Sequence, residues 1–214
     1  MVFLETVMQA RGLNYKNRII GFICSILHGI KFLGTSYIMK KILLLSDTHG
    51  HIDERILKYA KEADEIWHAG DIGDLKVTDT LAQIKPLRSV YGNIDGNNAR
   101  VSFPENNIFT VEEVKFFITH IGGPAGKYTP RVRRLLDEIK PDVFICGHSH
   151  ILKVMHNKGR DMMHLNPGAA GIQGFHQIRT MLRFEVAQGK LQNMEVVELG
   201  LRGKSLAQTV QGTN

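Results

Sequence analysis

Five times along this chain a short strand-like run breaks off at a loop that carries Asp, Asn or His. Ile42-Leu43-Leu44-Leu45 is followed by Asp47 and His49, residues 65–69 by Gly70-Asp71, and residues 87–91 by Gly92-Asn93. Residues 114–119 run into His120, and residues 143–146 into Gly147-His148-Ser149-His150. The first of these five runs, continuously apolar and ending in a polar loop, is what a strand buried on both faces requires. Helical signals lie between the first of them. Asp53 can cap a helix that carries Ile56, Leu57 and Ala60 on one side, and residues 77–84 form a second helix, stopped by Pro86. Such alternation predicts an α/β sheet whose strand ends line one edge, where these sheets build their sites.

Beyond residue 100 the rhythm turns toward strands. Residues 101–103 and 108–111 read as a short hairpin, and residues 130–139 as a helix on which Arg131, Arg133 and Arg134 form a solvated face. The runs at 152–155, 162–165, 181–186 and 191–199 suggest antiparallel hairpins. Together they describe one α/β domain over residues 39–214. The first 38 residues differ from it. Arg11, Lys16, Arg18 and Lys31 against Glu5 alone give that stretch half of the chain's net charge of +6. Its apolar core at 19–27 is nine residues long, against about 20 for a membrane-spanning helix, so no membrane anchor is expected. Met39-Lys40-Lys41 leads directly into the first strand, so residues 1–38 are expected to be a disordered or mis-assigned leader. The remaining body is nearly charge-balanced, which disfavours binding to a long nucleic acid. Cys24 and Cys146 are too few for a disulfide scaffold, and a cytoplasmic location is expected.

The polar strand ends supply seven nitrogen and oxygen donors: Asp47, His49, Asp71, Asn93, His120, His148 and His150. Such a set without thiolate suits one or two divalent ions of intermediate hardness, Mn2+, Fe2+, Ni2+ or Zn2+. Two ions need a shared carboxylate, and Asp71 lies centrally in the order. The succession D-x-H, G-D, G-N-x-D, isolated His and G-H-x-H resembles the calcineurin-like metallophosphoesterases. Within them it is most similar to the small YfcE-type phosphodiesterases.

That resemblance implies a four-layer α/β/β/α sandwich with two mixed sheets packed face to face. It implies that Asp47, His49 and His150 hold one ion, that Asn93, His120 and His148 hold the other, and that Asp71 bridges them. Asp71, Asn93 and His148 would be the catalytic set. Two divalent ions are the expected cofactors, Mn2+ preferred, with Ni2+, Fe2+, Zn2+ or Mg2+ as substitutes. A hydroxide held between them would attack a phosphate ester in line with the leaving alcohol. Larger members carry His after the Asn of the G-N motif, where it resembles a general acid. Ile94 stands there in this chain, so activated phosphodiesters should turn over faster than alkyl monoesters.

Asp95 is expected to order the Asn93 loop. Asp74 either orients a ligand or caps a helix, and Arg100 could contact phosphate or form a surface ion pair. His51 is read as a solvated loop residue and Cys146 as a buried thiol, while Asn166-Pro167-Gly168 should shape the site without ligating. The expected partner is a small phosphate ester, and self-association is compatible with the sequence. The rival reading is a non-catalytic metal-binding or scaffold module, since the same fold serves as a scaffold subunit in the eukaryotic retromer complex.

Overall fold

The computed structural model describes residues 39–175 and 177–203. The expected leader at 1–38 and Cys24 lie outside the described residues. The chain begins with β1 (Lys40–Leu45), α1 (Glu54–Glu62), β2 (Glu65–His68), α2 (Leu75–Ile84) and β3 (Leu87–Ser89). These strands pair in parallel, β1 to β2 to β3. Two later strands, β9 (Ile178–Ala187) and β10 (Lys190–Leu201), extend this sheet antiparallel on the free side of β1, giving the order β10-β9-β1-β2-β3.

The second sheet has the order β4-β5-β6-β8-β7. It is built from β4 (Asn106–Val111), β5 (Val114–Thr119), β6 (Val143–Ile145), β7 (Leu152–Asn157) and β8 (Met162–Pro167). Its middle three strands are parallel and its two outer ones antiparallel. Helix α4 (Pro130–Ile139) connects β5 to β6.

Side-chain alternation along the strands makes the layers. In β1, Ile42 and Leu44 face the second sheet, where they join Trp67, Phe116, Ile118, Val143, Ile145 and Phe184. Leu43 and Leu45 face the other way, against Ile56, Ala60, Val77 and Leu81 of α1 and α2. On the far side, Phe117 and Phe144 pack on Val132 and Leu136 of α4. Three apolar interfaces therefore separate four layers, which is the expected α/β/β/α sandwich. Trp67 anchors the middle one, edge-on to Phe116 at 4.6 Å and to Phe109 at 4.9 Å between ring centroids. Its indole donates to Glu65 Oε2 at 2.8 Å. Burial opposes ionisation of Glu65, but the fork from Arg88 at 3.0 and 3.2 Å outweighs it and holds its pKa below the usual range.

One expected element is different. Residues 101–103 are the end of a helix and the residue after it, not a strand. Helix α3 (Asn97–Ser102) is closed by Arg100 N donating to Gly96 O and Phe103 N donating to Ala99 O. Three residues are too few for periodicity to separate helix from strand. The hairpin of this region is β4 with β5, turned at Glu112-Glu113.

Candidate metal centre

All parallel strands of both sheets point their C-terminal ends to one edge, and the loops leaving them carry the seven donors. The backbone there is unusual. Asp47, His49, Asp71, His148 and His150 all have φ between 48° and 67°, a conformation that costs an L-residue roughly 1–2 kcal/mol. It persists because the loops are bonded to one another. Asp47 N donates to Gly70 O at 2.9 Å, His49 N to Asp71 O at 3.1 Å and Gly50 N to Ile72 O at 2.7 Å, which ties the loop after β1 to the loop after β2. His148 N donates to Asp47 Oδ2 at 3.1 Å, bringing in the loop after β6.

Asp95, buried at 3% exposure, accepts from Ile72 N, Gly73 N and Gly92 N at 3.1, 2.8 and 2.7 Å. One carboxylate thus binds the loop after β3 to the loop after β2, the ordering role expected of it. The motif glycines are set by the same closeness. A β-carbon at Gly92 would overlap Asp71 Oδ1, and one at Gly147 would overlap Ser46 Oγ and crowd Asp47 Oδ2 at 2.7 Å.

Six of the seven donors converge in two groups, Asp47 with His49 and His150, and Asp71 with His120 and His148, the donor atoms of each group lying within 4.8 Å of one another. His150 Nε2 is 3.1 Å from Asp47 Oδ1 and 3.3 Å from His49 Nε2. The Asp71 carboxylate stands between the groups, with Oδ1 3.2 Å from His120 Nε2 and Oδ2 3.9 Å from His49 Nε2. Asn93 is exposed on the adjoining loop, where it lines a cavity of about 380 Å3 together with His120.

The protonation pattern fits a cation. His120 Nδ1 lies 2.8 Å from Ala69 O, which can only accept, so Nδ1 carries the proton and Nε2 presents a lone pair toward Asp71. A lone pair facing a carboxylate at 3.2 Å is unfavourable until something positive sits between them. Accordingly, burial pushes the His120 pKa down, but the adjacent carboxylates of Asp71 and Asp47 more than reverse this and raise it. Asp71 shows the mirror effect: burial raises its pKa, and His120 brings it below the usual carboxylate value. His120 Nε2 and Asp47 Oδ1 are buried with no hydrogen-bond partner among the described residues. Two carboxylates, four imidazole groups at close range and two orphaned polar atoms are a donor set suited to divalent cations.

The other candidates take definite places. Asp74 caps α2, accepting from Lys76 N at 2.9 Å. Arg100 lines the cavity beside Asn93 but spends its guanidinium within its own loop, donating to Asp95 O at 2.8 Å and Gly92 O at 3.4 Å and stacking on Tyr91. His51 lies 3.3 Å from Asp53. Asn166 Nδ2 donates to Gly147 O at 2.8 Å and Ser149 Oγ at 3.1 Å, fixing the G-H-x-H loop from β8. Cys146 is a buried free thiol, its pKa pushed up to about 12 by burial.

Two residues escaped sequence reasoning. Arg131 is not on a solvated face: it bonds Asn106 Oδ1 at 3.0 Å and Thr119 Oγ1 at 2.9 Å and lines the same cavity as Asn93. His68, fully buried, accepts from Gly70 N at 3.2 Å on Nδ1 and meets Thr48 Oγ1 at 2.9 Å through Nε2, while that hydroxyl donates to Ile72 O at 3.0 Å. It stitches the Asp47 loop to the Asp71 loop as a neutral ring, its pKa lowered by burial to about 4. A His two residues before Gly-Asp inside an apolar strand was the available signal.

Comparison with known proteins is consistent with this geometry. The sequence model of the calcineurin-like phosphoesterase superfamily domain matches residues 39–189. A probable metallophosphoesterase of Methanothermobacter thermautotrophicus is 28% identical over 131 residues, covering 59% of this chain and 74% of that one. Another, from Mycoplasma pneumoniae, is 31% identical over 169 residues, covering 73% and 96%. Among solved structures, wild-type Vps29 of Entamoeba histolytica complexed with Zn2+ superposes with a TM-score of 0.55 at 17% identity, over 74% of this chain and 98% of that one, a likeness of fold.

Proposed function

Because this chain belongs to the calcineurin-like phosphoesterase superfamily, we propose that it is a two-metal phosphodiesterase of the reducing cytoplasm, acting on a small phosphate ester. The observation that carries the reading is the Asp71 carboxylate, which turns one oxygen to each of two histidine-bearing donor groups. Asp47, His49 and His150 would hold one cation and His120, His148 and Asn93 the other, with Asp71 shared. When bound, such a pair supplies an activated water and a polarised phosphoryl oxygen.

The chain's own residues do the rest. The Ala69 carbonyl holds His120 Nδ1 and so aims Nε2 at the shared carboxylate of Asp71. The αL backbone at Asp47, His49, Asp71, His148 and His150, cross-bonded between loops, fixes donor positions before any ligand arrives. Ile94, half exposed beside Asn93, offers no proton to a departing alkoxide. Good leaving groups are therefore favoured, which supports diesters with acidic alcohols over alkyl monoesters.

The test uses the full-length chain. Metal-depleted protein should not hydrolyse bis(p-nitrophenyl) phosphate and should recover on addition of Mn2+. Across a series of aryl phosphodiesters, the rate should fall as the leaving alcohol becomes less acidic. Metal-loaded protein that binds two equivalents of Mn2+ yet hydrolyses no ester would instead support the non-catalytic module, the reading suggested by the Vps29 fold.

A further inference from the structure

Two cavities flank the metal centre, and their linings differ in chemistry. The smaller, about 380 Å3, is rimmed by Arg100, Glu105 and Arg131 beside Asn93 and His120. The larger, about 520 Å3, has His148 on its wall, and Lys153 is the only Lys, Arg, Asp or Glu among its lining residues. Both volumes fall in the range of about 300–1,000 Å3 typical of small-molecule sites. The larger one is walled by Pro124 and Ala125 of the loop after β5 and by Ile151 and Met155 at and before β7.

The apolar part of its wall offers no side-chain partner to a hydroxyl-rich ligand, while His148, Ser149, Lys153 and His164 line the remainder. The Asn166 amide is spent on Gly147 O and Ser149 Oγ, and its carbonyl accepts from Gly168 N at 3.0 Å. The loop carrying Pro124 is closed on itself, Lys127 N donating to Pro124 O at 2.8 Å and Thr129 N to Gly122 O at 3.1 Å. Ile151, immediately after the donor His150, is 55% exposed. A large apolar side chain left open to water on the wall of a cavity that also holds a donor histidine is a surface a substrate can cover.

From these features we infer that the cavity beside His148 receives an apolar, ring-sized ester group of the substrate, with Ile151 and Met155 as specificity-determining residues. The inference rests on the proposed phosphodiesterase activity and adds to it that the ester is unsymmetrical in recognition. One arm is chosen by apolar contact, and the other lies toward the charged cavity. A sugar or glycerol arm would set hydroxyls against Pro124, Ala125, Ile151 and Met155, whose side chains cannot pair them.

Binding of non-hydrolysable phosphonates tests this on the full-length protein reconstituted with Mn2+. By calorimetry, phenylphosphonate should bind about tenfold more tightly than methylphosphonate. Ile151→Ser and Met155→Gln should each shrink that ratio, and the double variant should bring it close to one. Ile108→Ser, a comparably exposed isoleucine on β4 outside the cavity, should leave the ratio as in the wild type. Equal affinity for the two phosphonates, failure of phenylphosphonate to bind, or a ratio that survives the double substitution overturns the assignment. Hydrolysis of bis(p-nitrophenyl) phosphate by the same preparation judges the activity separately. Ring preference without hydrolysis breaks the activity alone, and hydrolysis without ring preference breaks the pocket alone.

Discussion

The two edges of the sandwich use the same backbone conformation for opposite ends. Eleven described non-glycine residues have positive φ. Five are donors at the C-terminal edge, and the other six, Glu112, Glu113, Lys140, Asp161, Gln188 and Asn193, lie in turns, a helix cap and a strand irregularity toward the other edge. There the strain is local: Lys140 ends α4, Glu112-Glu113 and Gln188-Gly189 turn hairpins, and five of the six side chains are exposed. At the donor edge Asp47 and Asp71 are buried, and bonds between residues distant in sequence hold the backbone. A turn needs the conformation to reverse the chain. The donor edge uses it to aim side chains.

The largest effects should separate the edges by function. His148 is exposed, so His148→Ala should leave the melting temperature of the metal-free protein nearly unchanged while lowering kcat/KM by roughly 1,000-fold. Glu113→Ala at the other edge should leave kcat/KM as it is. Comparable activity in both variants would erase the functional difference between the edges.

Next in size is Asp95. Its carboxylate satisfies three buried backbone N–H groups from two loops, and Asp95→Ala should cost about 3–5 kcal/mol by denaturant unfolding. Activity should fall with it, because the Asn93 loop loses its tie to Asp71. Asp161 ties down no buried backbone, its exposed carboxylate lying 3.1 Å from the exposed His156 Nε2, so Asp161→Ala should cost under about 1 kcal/mol.

Acid should act through buried histidines. Burial lowers the pKa of both His68 and His164 to about 4, well under the unfolded value of about 6.5. Between these values the unfolded chain binds protons that the native one does not. Stability is therefore full above about pH 6.5 and lost as pH falls toward 4. His120 is raised and acts in the opposite sense. Each of the two lowered histidines should cost about 2 kcal/mol at pH 5 relative to pH 7.5. His68→Gln should flatten the slope measured on metal-free protein. A wild-type slope retained in that variant would remove His68 as the acid-sensitive stitch between donor loops.

What could be read in advance follows the same division. A sheet buried on both faces was legible because β1 must satisfy two faces at once, Ile42 and Leu44 on one side and Leu43 and Leu45 on the other, whereas the four layers were implied by the motif resemblance and not by the pattern. The donors stood out because they interrupt apolar runs. Helix α3 was misread because Val101-Ser102-Phe103 is too short for its period to show. His68 and Arg131 escaped because their partners, Thr48 for one and Asn106 and Thr119 for the other, are far away in sequence. Local pattern encodes which residues reach the edge, whereas the bonds that hold the edge together are made by the fold.

The smallest predicted effect tests whether far-edge strain is truly local. Glu112 and Glu113, with φ of 44° and 68°, form a two-residue hairpin turn of the kind that prefers Asn-Gly. Glu113→Gly removes the β-carbon penalty and adds freedom to the unfolded chain, so the two effects partly offset. A net gain of about 0.5–1 kcal/mol is expected, with unchanged kcat/KM. Gly189 N donates to Glu112 O at 3.0 Å, so the two hairpin turns touch, one from each sheet. If Glu113→Gly instead destabilises by more than about 1 kcal/mol, that contact makes this edge cooperative as well. The contrast between locally held turns and cross-bonded donor loops would then be one of degree.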